Sequence, residues 1–169
     1  PVTVIGRVGW TRIVGGTEVP AGDYPFMAAV VWSDEPNARS GLRCGGTLID
    51  TEWVLTAAHC TDGYAAEDFD VIVGRDLLTS SDGERIAVTE IHQHPGFDGV
   101  LYSHDLALLR LEEAAGVGAT ISWVTETLAG RAAPGTMVTV AGWGTTEDNP
   151  EGTGNGIQNQ MREASVQIR

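Results

Sequence analysis

Apolar residues come along this chain in short bursts broken by Gly, Pro and Asp. Met27–Trp32 is a continuous apolar run, and Trp53-Val54-Leu55-Thr56 and Leu106-Ala107-Leu108-Leu109 are shorter ones. Such runs, bounded by turn residues, predict strands at Met27–Trp32, Gly46–Ile49, Trp53–Thr56, Asp70–Val73, Arg85–Ile91, Leu106–Leu111, Met137–Ala141 and Met161–Ile168. The last alternates, with Ala164, Val166 and Ile168 on one face and Glu163, Ser165 and Gln167 on the other. Ala57–Cys60 predicts a short helical turn, and no long helical period occurs. Regularly spaced strands with turn signals give an all-β class, a barrel or a sandwich. Two stretches read as connections. Glu112–Gly118 is small and acidic and is expected to open a linker between halves. Thr145–Gly156 is rich in Gly, Thr, Asn and Asp and is expected to be an exposed loop.

Composition narrows the function classes. With 169 residues, 42% of them hydrophobic, the chain can bury a core of one domain or somewhat more. The formal net charge of −13 excludes a nucleic-acid binder, whose phosphate partner wants a basic surface, and an anionic membrane surface as well. No apolar run is long enough to span a bilayer as a helix. Cys44 and Cys60 suffice for one bridge, although spacing alone does not pair them. If they pair, the protein belongs to an oxidising compartment, and no second Cys pair is present to build a zinc site. The chain opens at Pro1 with no basic-then-apolar signal segment. A processed secreted protein, or a fragment, fits that opening better than an intact cytosolic product.

The candidate chemistry lies in two segments, Thr56-Ala57-Ala58-His59-Cys60 and His104-Asp105-Leu106-Ala107-Leu108-Leu109. An imidazole can take and return a proton near neutral pH, so His59 at a strand end is a candidate general base. Asp105, at the edge of an apolar strand, needs a partner for its carboxylate, and an imidazole N–H supplies one. The plainer reading of Asp105 alone is a turn residue before a strand. Asp34 and Asp98 are rivals by type but lie in Pro- or Gly-containing loops. His92, His94 and His104 admit a zinc reading, against which Pro95 and Gly96 mark an exposed turn with no fourth ligand.

In this order the segments resemble those of the trypsin-like (chymotrypsin-family, S1) serine proteases. Other matches stand in sequence around them: Arg12 before Ile13-Val14-Gly15-Gly16, Tyr24-Pro25-Phe26, Cys44-Gly45-Gly46-Thr47-Leu48-Ile49, His94-Pro95 and Gly142-Trp143-Gly144. The resemblance runs from Ile13 to about Ile168. It implies a double β-barrel with the first barrel complete and the second partial. It implies His59 as general base and acid, Asp105 as its orienting partner, and a Cys44–Cys60 disulfide. It also implies activation by cleavage between Arg12 and Ile13, making residues 1–12 a propeptide tail and 13–169 the peptidase domain. Within that domain the N-terminal barrel takes 13–111, a linker region 112–136 and the start of the C-terminal barrel 137–169. The implied partners are protein or peptide substrates, an activating protease and protease inhibitors, in a secreted, extracellular setting, with no cofactor.

Two departures stand out. Where calcium-binding members of the family open a loop with Glu, this chain has Arg75, and an arginine opposes a hard cation, so no metal is expected. The second concerns the nucleophile. No Gly-Asp-Ser-Gly-Gly segment occurs, and Ser40, Ser103, Ser122 and Ser165 lack its context. The expectation is a chain that stops before the catalytic serine and is inactive by itself, with Met161–Ile168 left as an unpaired sheet edge prone to self-association. The alternatives are a non-catalytic binding protein on the same fold and a naturally short domain unrelated to catalysis.

Overall fold

The computed structural model describes residues 16–122, 133–146 and 156–168. In chain order its strands are β1 (Thr17–Glu18), β2 (Met27–Trp32), β3 (Leu42–Asp50), β4 (Trp53–Thr56), β5 (Phe69–Val73), β6 (Glu84–Gln93), β7 (Ala107–Leu111), β8 (Met137–Gly142) and β9 (Arg162–Gln167). One helical turn, α1 (Ala38–Gly41), and two 3-10 turns, Ala58–Cys60 and Ala66–Asp68, complete the regular structure. The all-β class expected from the apolar pattern is therefore the class observed.

The chain divides into two compact units. In Ala21–Ile121, six antiparallel strands close into a barrel in the order β2-β3-β4-β7-β6-β5. Closure leaves no free sheet edge, which suits a small unit built from short strands. Alternate residues point inward: Ala28 and Val30 from β2, Phe69, Val71 and Val73 from β5, Ile86 and Val88 from β6, Leu109 and Leu111 from β7. Leu48 and Val54 complete this core. Gly46 lies on β3, where an added Cβ would stand 2.7 Å from Val54 Cγ1, so the packing admits only glycine.

Glu112–Gly118 departs from a plain connector. It is laced to the barrel by Glu112 N–H to Ala87 O, Ala115 N–H to Thr51 O and Gly116 N–H to the Glu84 carboxylate. Gly118 has a φ of +84°, and a Cβ there would meet the Pro25 carbonyl at 2.8 Å.

The other unit holds a three-stranded antiparallel sheet in the order β1-β9-β8. Its buried apolar residues include Val19, Val138, Trp143 and Met161. Here the structure corrects one expectation. β9 is not an unpaired edge along its whole length, because Arg162 and Glu163 pair with Glu18 and Thr17 of β1. Arg162 strengthens that pairing by donating to Gly16 O at 2.6 Å. Strand boundaries differ as well, mostly by one or two residues. The strand expected from Leu106 begins at Ala107, because Leu106 N–H closes a tight turn onto His104 O at 2.8 Å. The strand expected over Gly46–Ile49 extends to Leu42–Asp50. Residues 147–155 of the expected Thr145–Gly156 loop lie outside the described residues.

Candidate active site

β4 delivers the histidine. Thr56 ends the strand and ties it to β3 by donating its hydroxyl to Gly45 O at 2.9 Å. Ala57 and Ala58 are buried, and their small side chains let the chain turn sharply inward. The 3-10 turn Ala58–Cys60 then sets His59 at the barrel's rim. Three anchors hold that turn. A disulfide joins Cys60 to Cys44 on β3, Thr61 Oγ1 donates to Ala58 O, and Gln93 of β6 donates its amide to Ala58 O and Thr61 Oγ1.

Asp105 is presented by a different device. The segment before β7 is a folded loop with two non-glycine residues in the left-handed region, Tyr102 and His104. Asp98 closes the loop from inside: its N–H donates to Ser103 O, and its carboxylate accepts from Val100 and Leu101 N–H. The His104 ring stacks on His94 with centroids 4.7 Å apart, and His94 N–H donates to Leu106 O. Asp105 therefore sits at the centre of a turn braced on both sides.

The two meet squarely. His59 Nδ1 lies 2.7 Å from Asp105 Oδ2, and the His59 backbone N–H donates to Oδ1 at 2.8 Å. Both side chains are largely withdrawn from water, at 12% and 16% exposure. An ionised carboxylate can only accept, so Nδ1 must carry the proton. In the neutral imidazole the lone pair is then on Nε2. The neighbour of Nε2 is the Cys60 Sγ at 3.5 Å, which is disulfide-bonded and has no proton to give. The arrangement supplies a base with a fixed tautomer, a fixed ring plane and a buried counter-charge for the imidazolium that proton uptake would create. The Tyr102 ring stands edge-on to the imidazole, with centroids 6.0 Å apart.

The other candidates fall elsewhere. Asp34 is exposed, and Asp98 is occupied by its own loop. His92 bonds Glu90 at 2.8 Å and lies against Trp53, while His94 and His104 lie face to face. Among the described residues these three imidazoles do not converge on a common ligand position. Cys44, His59 and Cys60 do cluster, but sulfurs joined in a disulfide cannot serve as thiolate ligands. Arg75 crosses its own loop to donate to Asp82 O at 2.7 Å, and burial pulls its guanidinium below the usual range against the opposing pull of Asp82. Ser40, Ser103, Ser122 and Ser165 sit in α1, the 98–103 loop, a chain segment after the barrel and β9; none bonds His59 among the described residues. Arg12 and Ile13 lie outside the described residues. The sequence did not single out Gln93 or Tyr102, whose proximity to His59 or its turn comes only from barrel closure and loop folding, nor Arg43, which the Cys44–Cys60 bridge brings beside Cys60.

The Trypsin family model matches residues 13–169. The chain belongs to the trypsin family. Curated relatives agree with the trypsin assignment. Coagulation factor XII of Rattus norvegicus is 39% identical over 142 residues, covering 79% of this chain and 22% of the relative. Kallikrein-7 of Homo sapiens is 33% identical over 136 residues, covering 80% and 49%. Among solved structures, the VesB protease of Vibrio cholerae superimposes with a TM-score of 0.79 at 30% identity, over 92% of this chain and 44% of that one. This trypsin-family chain thus spans about half the length, or less, of these relatives.

Proposed function

We propose that the protein carrying this chain is a serine-type endopeptidase. The observation that carries the reading is the His59–Asp105 pair, with both carboxylate oxygens engaged by one histidine. In the proposed mechanism His59 Nε2 takes the proton from a serine hydroxyl as that oxygen attacks the peptide carbonyl. The same nitrogen returns the proton to the departing amine. Asp105 keeps Nδ1 protonated and offsets the charge of the imidazolium without itself accepting the proton. The substrates are proteins or peptides. Cleavage between Arg12 and Ile13 by an activating protease would mature the enzyme, with residues 1–12 as the tail removed. The Cys44–Cys60 disulfide supports a secreted setting.

The proposal concerns the whole protein. Gly-Asp-Ser-Gly-Gly does not occur in the 169 residues, and these by themselves are expected not to hydrolyse peptides. A second reading is a non-catalytic binding protein on this fold, with another residue at the nucleophile position. Hydrolysis of a mixed peptide pool by the full-length protein, activated at Arg12, separates the two. Cleavage abolished by His59→Ala supports the peptidase. A folded, activated protein that cleaves nothing supports the binding protein.

A further inference from the structure

Arg43 lies one residue before Cys44, and its side chain is held in place from three directions. Nε donates to Cys60 O at 3.2 Å. The guanidinium carbon stands 5.5 Å from the Trp32 ring centroid and 5.7 Å from that of Tyr64. Those rings are themselves fixed. Trp32 stacks on the fully buried Phe69 with centroids 5.0 Å apart, and Tyr64 meets Trp32 and Phe69 edge-on. Cation–π contact and a carbonyl bond pre-order the long side chain and reduce the entropy lost when an anion is bound.

The cation so fixed is not consumed by the fold. Arg85 gives its N–H groups to Asp70 and to the carbonyls of Trp32, Ser33, Glu35 and Pro36. Arg110 pairs with Glu90 and Glu52, and Arg162 with Glu18. Among the described residues neither Nη of Arg43 has a bonded partner, and Arg43 is exposed. In a chain of net charge −13 this leaves a local positive spot on a surface that otherwise repels acids. Its place is informative. The carbonyl that holds Arg43 belongs to Cys60, whose Sγ is 3.5 Å from His59 Nε2, the nitrogen assigned to proton transfer.

We infer that Arg43 forms a carboxylate subsite beside His59, receiving an acidic side chain of the substrate a few positions from the cleaved bond. The inference rests on the peptidase reading above. A guanidinium with two free amino groups presents the planar fork that a carboxylate accepts bidentately.

The test is a glutamate walk. Peptides carrying Glu at one position at a time around the cleaved bond are compared with the Gln-containing equivalents, using the full-length, activated protein. The expected result is one position at which Glu raises kcat/KM about 5–10-fold over Gln at low salt, with the advantage shrinking as salt is added. Arg43→Gln should bring that ratio to about 1, and Arg43→Glu should turn the preference at the same position toward Lys. Because the ratio is taken within each enzyme, loss of folded protein cancels. Cleavage with no Glu preference at any position, or a preference that survives Arg43→Gln, overturns the subsite and leaves the peptidase reading standing. No cleavage of any peptide overturns both.

Discussion

Asp105 is the residue on which the proposed chemistry turns. One of its oxygens fixes the His59 backbone and the other fixes the Nδ1 proton. Asparagine in its place keeps the shape but brings an amide that can donate to Nδ1, moving the imidazole proton to Nε2. The base is then blocked while the fold survives. If the full-length, activated protein is a peptidase, Asp105→Asn should lower its kcat by about 10⁴-fold, the size known when this pair is disturbed in chymotrypsin-type proteases. An unchanged circular dichroism spectrum would show that structure is retained. A loss below tenfold would contradict the assigned role.

Among the elements, the strands were legible as short apolar runs bounded by turn residues. Phe69, Val71 and Val73 of β5 fill the core from every second position, as do Leu109 and Leu111 of β7. β1 was not legible, since two residues carry no period, and its partner Glu163 is far away in sequence. The start of β7 was misplaced because Leu106 continues the apolar run while its N–H is spent on a turn. His59 and Asp105 could be named from their segments, but the hydrogen bond from the His59 amide could not, because it depends on how the loop braced by Asp98 and His94 presents the carboxylate. Arg43 and Tyr102 gave no signal at all in one dimension. Leu109 is fully buried where β7 crosses between β4 and β6. Leu109→Ala should cost about 2–5 kcal/mol, and Leu108→Ala, at a half-buried site on the same strand, less. Denaturant titration followed by tryptophan fluorescence compares the two, and equal losses would speak against an inward-facing Leu109.

For the molecule as a whole, the disulfide links stability to function. Cys44 and Cys60 are 16 residues apart, and the bridge ties the turn bearing His59 to β3. Closing a loop of about this length stabilises a protein by ~3 kcal/mol. Reduction should therefore lower the denaturation midpoint and, under conditions where the protein stays folded, reduce kcat by loosening the His59 turn. Activity that tracks the folded fraction alone, with no change per folded molecule, would confine the bridge to a stabilising role.

In the proposed mechanism His59, held by Asp105, activates a serine. A fluorophosphonate probe tests it most directly, since it labels only a serine whose hydroxyl is deprotonated as it attacks. Applied to the full-length, activated protein and read by peptide mass spectrometry, it should modify a single serine, with labelling abolished by His59→Ala. Absence of labelling in the folded wild-type protein, or equal labelling when His59 is replaced, would rule out a serine activated by His59.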